Sequence, residues 1–319
     1  MAVSFGGAAH AVGLAWVCSY GLQVVLLSGS AWGAVRKLGN HETPIPSIGQ
    51  MLSLGGWWQL SSWADFATFQ LPRLAGGFAL SANALVALDV AIRAAQLAVA
   101  PLFAVYPLLL PAAARAWTRG GAHEMKVFLE RWFLRGAIAL WLLATSFVPL
   151  ERAALAAWTG RSAESFDIWL NASVLIGVVA HASTGLFSSA RLAVGNVRPV
   201  VQYKTWQLIL GLVFIPPAVV VGPVATGIAL GIALAAPALL YNRREVDAFQ
   251  LRLPSRHSPV WRRVTVVTVL LVLILSFAVS LLAGKLPSWL VILALLPFWA
   301  SASALAWLWC SRSLVPVER

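Results

Sequence analysis

Five side chains stand out inside long apolar stretches of this chain: Trp58, Asp65, Arg93, His181 and Arg191. Trp58, Ser61, Ser62, Asp65 and Thr68 follow one another at offsets of 3, 4, 7 and 10, which places them on one face of a helix. Trp57, Trp58 and Trp63 lie deep in the same stretch. A cavity lined by indoles and hydroxyls could stack sugar rings; the alternative is helix packing around one buried carboxyl. Asp89 and Arg93 are spaced i,i+4, a favourable orientation for an internal ion pair, and Gln96 continues their face. Arg93 could meet an anionic pyrophosphate when its partner releases it, or the pair could be permanent and structural. Asn171, His181, Thr184, Ser188 and Arg191 form a stripe with steps of 10, 3, 4 and 3, a helical wall. His181 could titrate near neutral pH and couple to protons, or it could simply be hydrogen-bonded. Lys204 and Gln207 open the next helix, where Lys204 either binds lipid headgroups or snorkels. Pro216 and Pro217 predict a kink, and Gly227 and Gly231 form a GxxxG that favours close helix contact.

The elements that must hold these residues follow from composition. The chain has 319 residues, 60% of them hydrophobic and 11% charged, with a mean hydropathy of +0.81. A soluble domain carries roughly a quarter charged residues. The apolar residues fall in blocks of roughly 20, enough to cross a hydrocarbon core as helices. A transmembrane β-barrel would show short alternating strands instead. The expected fold is therefore all-α: a polytopic membrane bundle of about nine transmembrane helices, at 5–33, 48–72, 78–114, 126–149, 165–191, 199–219, 221–241, 264–283 and 287–310. Pro101, Pro107 and Pro111 predict a kink or an end to the third. The segment 150–162 reads as an interfacial turn or short helix, and VVVGPVATG as a tight joint between the sixth and seventh helices.

Net charge is +12, and the positives sit mostly in short loops, so membrane topology explains them better than nucleic acid does. Of the 23 Lys and Arg, 18 fall on one side of the expected spans and four on the other, with Arg93 inside a span. The richer side is cytoplasmic by the positive-inside rule, which puts the C-terminus inside and Met1 outside. No Lys or Arg precedes the first apolar stretch, so it does not read as a signal peptide, and an outside N-terminus suggests a chain that starts in the middle of a larger design. Cys18 and Cys310 lie far apart and offer neither a disulfide framework nor a metal spacing.

Residues 47–245 resemble the C-terminal half of polysaccharide flippases, of the multidrug/oligosaccharidyl-lipid/polysaccharide exporter superfamily. The segments that carry the resemblance keep the family's order. SIGQMLSLGGWWQLSSWADFATFQLPRLAG (47–76) is similar to its seventh helix, with Asp65 in the middle. LDVAIRAAQL (88–97) is similar to its YxxAxR stretch, with Leu88 in place of the Tyr. YPLLLPAAAR (106–115) resembles the Pro-ending eighth helix, ARLAVGNVRP (190–199) the turn between the tenth and eleventh, and VGPVATGIA (221–229) the link to the twelfth. The resemblance implies three parts: 1–46, a helix and cytoplasmic loop like the end of a first lobe; 47–245, a six-helix transporter lobe; and 246–319, a basic cytoplasmic loop with two further helices.

What the resemblance implies is flipping of a lipid-linked oligosaccharide, an undecaprenyl-pyrophosphate glycan, across a bacterial inner membrane for surface polysaccharide synthesis. Trp58, Asp65, Arg93, His181 and Arg191 would line one cleft that binds this anionic glycolipid. Two lobes would rock about that site. Such a lobe would need a separately encoded first lobe or a second copy of itself, and would contact membrane lipids. A drug or cation antiporter of the same superfamily is the second reading; Trp-rich walls and Arg93 favour the glycolipid. A truncated, non-transporting membrane protein is the third. No zinc spacing, nucleophile elbow or P-loop is present, and the longest expected outer segment is only 150–164, so no enzyme activity, cofactor, metal or nucleic-acid partner is expected.

Overall fold

The computed structural model describes residues 48–159, 167–252, 259–283 and 288–312. The expected helix 5–33, the loop 34–47 and Cys18 lie outside the described residues, as do 160–166, 253–258, 284–287 and the end of the chain from 313. The chain divides into two units after Met51, and all the side-chain packing below belongs to the second.

Every described element is a helix: α1 (Ile48–Ala79), α2 (Ala82–Thr159), α3 (Ile168–Ala182), α4 (Gly185–Ala193), α5 (Arg198–Val221), α6 (Pro223–Ala248), α7 (Pro259–Ala283) and α8 (Ser288–Arg312). Among the described residues, six stretches are long and apolar enough to cross a membrane: Ala82–Phe103, Leu108–Glu151, Ile168–Ala193, Arg198–Val221, Pro223–Ala248 and Trp261–Leu282. The chain is a multi-pass, all-α membrane helix bundle. Nine spans were expected. Helix α1 forms where one was expected but is not among the six, because Gln59, Ser61, Ser62, Asp65, Thr68, Gln70 and Arg73 make it too polar.

Helix α2 departs most from expectation. The loop expected at 115–126 shrinks to Gly120 and Gly121, the two residues with non-helical backbone, and helix continues on both sides. Gly121 has φ +59°, where glycine is favoured, and a Cβ on Gly120 would come 2.3 Å from Glu124 Cγ, so that side chain would have to turn aside. The two arms run back along each other: Leu102, Val105 and Leu109 of the first face Gly136, Ala139 and Leu143 of the second across one cavity. The first arm, 82–119, rises about 57 Å at 1.5 Å per residue. That is nearly twice a ~30 Å hydrocarbon core, so part of the arm must stand beyond it, and the charges of Arg115, Arg119, Lys126 and Arg131 favour the turn as that part. The backbone stays helical through Pro101 and Pro111, where a kink or end was expected. Neighbouring helices make such prolines tolerable in a bilayer.

The expected helix 165–191 is two helices. Asp167 caps α3, its carboxylate accepting from Trp169 N at 2.8 Å and Leu170 N at 3.2 Å. The chain then breaks at Ser183 and Thr184, whose hydroxyls turn back to Ala180 O and His181 O. Without a hydrophobic drive between helices in lipid, close packing must come from small residues. Gly177 and Gly231 supply it at the α3–α6 seam, where a Cβ on Gly177 would meet Gly231 Cα at 2.7 Å. Helices α5 and α6 meet at Gly222, with φ +138°, as tight a joint as the sequence suggested.

Candidate functional site

A polar cluster forms where α1, α3 and α5 meet. The last turn of α3 carries His181, and the first three turns of α5 carry Tyr203, Lys204 and Gln207. Lys204 Nζ lies 2.6 Å from Asp65 Oδ1 on α1 and 3.5 Å from His181 Nε2. His181 Nε2 lies 3.4 Å from the same carboxylate oxygen. On the far side of the ring, Nδ1 is 3.1 Å from both Tyr203 Oη and Gln207 Nε2. Gln207 Nε2 also donates to Leu234 O at 3.1 Å, which fixes the amide with its donor toward the imidazole. Nδ1 is then the acceptor, and the neutral ring carries its proton on Nε2, without a hydrogen bond to Asp65 Oδ1. Tyr203 Oη and Thr184 Oγ1 are 2.9 Å apart and close the network. Phe69 and Phe103 pack on the imidazole with centroids at 5.5 and 6.2 Å.

Burial makes this arrangement consequential. Gln207 is fully buried and His181 and Lys204 nearly so, while the Asp65 side chain is 32% exposed. A buried ammonium is tolerable only with a close counter-charge. The cluster therefore opens to the outside of the bundle on its α1 side. The backbone of α1 forms no close seam with any other described helix. Long side chains fasten it instead: Asp65 to Lys204, and Arg73 to Asp89.

The five residues expected in one cleft fall into separate places. Asp65 and His181 come together. Trp58 stands on the same helix as Asp65, two turns earlier and 41% exposed. Arg93 pairs with Asp89 at 2.8 Å, the i,i+4 contact expected from spacing, and Arg73 shares the same carboxylate. Arg191 pairs with the buried Glu245 at 2.7 Å and lies over the Phe249 ring at 4.8 Å, which ties α4 to α6. Its stripe is interrupted at the Ser183–Thr184 break.

Sequence reasoning placed Lys204 at a lipid headgroup or snorkelling, and the structure turns it inward to Asp65. It did not single out Tyr203, and it did not connect Arg73 or Glu245 to any partner. The available signal was the run Tyr203, Lys204 and Gln207 at i, i+1 and i+4, which share one side of the helix. Among the described residues no group of three or more His, Cys, Asp or Glu side chains is placed to hold a metal ion.

No protein-family profile, curated protein or solved structure matches the chain.

Proposed function

We propose that the chain is a transporter lobe that helps flip a lipid-linked oligosaccharide across a bacterial inner membrane, with its C-terminus in the cytoplasm. The observation that carries this reading is the buried Lys204 ammonium, paired with Asp65 and 3.5 Å from His181 Nε2, beneath a helix that only side chains fasten. Ionisable residues at membrane depth are costly and mark substrate or ion pathways. An anionic pyrophosphate competes with Asp65 for Lys204, and its arrival releases α1 from the bundle. Arg73 and Arg93 place two guanidiniums around one carboxylate, Asp89, on the same flank. The exposed indoles of Trp57, Trp58 and Trp63 offer rings for sugar to stack on. Alternating access needs a second lobe against this face, either a separately encoded first lobe or a second copy of the chain. The motif order across 47–245 supports the family assignment.

A cation antiporter of the same superfamily is the second reading, favoured by the partly exposed carboxylate of Asp65. One experiment separates the two. Surface polysaccharide is measured in cells whose own gene is replaced by Lys204→Gln, Asp65→Asn or Arg243→Gln. For a glycolipid flippase, Lys204→Gln removes most export, while Arg243→Gln, an exposed position, leaves it intact. Normal polysaccharide in Lys204→Gln cells, with drug or cation sensitivity appearing in Asp65→Asn cells, overturns the flippase in favour of the antiporter.

A further inference from the structure

We propose that the cavity enclosed by the two arms of α2, by α4 and by α8 is a binding site for one anionic phospholipid, with an acyl chain in the cavity and the phosphate on Arg135. This inference does not depend on the transport reading.

The cavity holds about 340 Å³, within the range of small-molecule sites. Its walls are apolar, with Leu102, Val105, Leu109, Leu143, Trp299 and Trp307 among them. The polar groups of the α8 wall are already satisfied within the protein. The Trp299 indole donates to Ser146 Oγ at 2.8 Å, the Trp307 indole donates to Arg135 O at 2.9 Å, and Ser303 Oγ lies 3.2 Å from Ser146 Oγ. An occupant of this part of the cavity meets ring faces and alkyl groups, so hydrocarbon suits it.

Arg135 breaks the pattern. Among the described residues it is the one charged side chain of the lining. Its Nε is buried without a hydrogen-bond partner, and among the described residues no carboxylate forms an ion pair with it. Its guanidinium lies 5.6 Å from the Trp132 ring centre. Trp132 also lines a second cleft between the same two arms, toward the Gly120–Gly121 turn, where Arg115, Arg119 and Arg131 outnumber the single carboxylate of Glu124. Moving toward the turn, the surface changes from apolar to cationic. A phospholipid has the matching order, from acyl chain to phosphate. A guanidinium binds phosphate through charge-assisted hydrogen bonds, which gives the unpartnered Nε an acceptor.

Gly136 gives a clean test, because an added Cβ there meets no heavy atom within 4 Å and points into open space. Gly136→Leu fills the cavity from its wall, and Ala300→Leu fills it from α8. The full chain is purified in detergent and titrated with dioleoylphosphatidylglycerol, dioleoylphosphatidylcholine or undecaprenyl phosphate, and bound lipid is counted by native mass spectrometry. The wild type is expected to retain one phosphatidylglycerol with about tenfold preference over phosphatidylcholine. Arg135→Gln is expected to erase that preference, and each filling variant to lower retention of the lipid about tenfold. Circular dichroism and gel-filtration profiles matching the wild type show that a variant is folded. Equal retention of the two phospholipids by the wild type overturns the proposal. So does unchanged retention in Arg135→Gln or in the folded filling variants. Preferred retention of undecaprenyl phosphate overturns the choice of a phospholipid.

Discussion

Lys204 Nζ sits 2.6 Å from Asp65 Oδ1, and this contact joins helix α1 to the core of the bundle. Removing one partner of a buried pair leaves an uncompensated charge, at about 3–5 kcal/mol when burial is complete. Asp65 is about one-third exposed, so a smaller loss, about 2 kcal/mol, is expected for Asp65→Asn. The double variant Asp65→Leu/Lys204→Met should recover much of it, because an apolar pair of similar size has no charge to desolvate. Thermal unfolding of the singles and the double in one detergent gives the coupling. Strictly additive effects would show that the two side chains do not sense each other.

The α3–α6 seam gives a steric prediction. A Cβ on Gly231 would fall 2.5 Å from Ser173 O, a backbone atom that cannot swing away. Gly231→Ala should therefore cost about 1–3 kcal/mol through forced backbone shifts. Gly136→Ala, with open space around its added methyl, should be nearly neutral. The comparison is made by thermal melts of the two variants side by side. Equal melting temperatures would mean that the helices separate freely at this seam.

How legible was this in the sequence? The bundle was, because a span announces itself as a continuous apolar run and needs no knowledge of its neighbours. The Asp89–Arg93 pair and the close packing of α6 on α3 at Gly227 and Gly231 were legible for a related reason, since both depend on spacing within one helix. Periodicity cannot say which helices meet. Lys204 looked like an interfacial lysine because its partner Asp65 is on a distant helix. Likewise Arg191 read as the end of a stripe with His181, although a two-residue break turns it toward Glu245. The 115–126 loop was overestimated because charged residues there suggested solvent, whereas two glycines suffice to reverse the helix.

The arginines should differ in function. Arg93 stands beside Asp89 on the flank that carries the proposed substrate path, and Arg243 is exposed at the end of α6. Arg93→Ala is expected to reduce export of surface glycan at least about tenfold, and Arg243→Ala to leave it near normal. Asp89→Asn should also reduce export, because it frees two guanidiniums that one carboxylate now holds. Export is read as surface polysaccharide per cell at matched protein levels. Equal effects of Arg93→Ala and Arg243→Ala would remove the substrate role from Arg93.

Orientation can be tested at two exposed positions that the helices hold apart. Ser81 lies between α1 and α2, and Asn196 between α4 and α5. Lys and Arg are retained on the cytoplasmic side of short loops. The turn of α2 carries Arg115, Arg119, Lys126 and Arg131, and the junction at Asn196 is flanked by Arg191 and Arg198. Ser81 has Arg73 as its nearest basic neighbour on the α1 side, and that guanidinium is taken up by Asp89 and Gln70. Asn196 should therefore face the cytoplasm and Ser81 the opposite side. With Cys18 and Cys310 replaced by Ser, Ser81→Cys should react with an impermeant maleimide on intact cells, and Asn196→Cys only after the membrane is opened. Labelling of Asn196→Cys from outside, with Ser81→Cys protected, would reverse the whole bundle. The lipid cavity at Arg135 would then open to the outer leaflet, because Arg135 lies on the α2 arm that leads back from the basic turn.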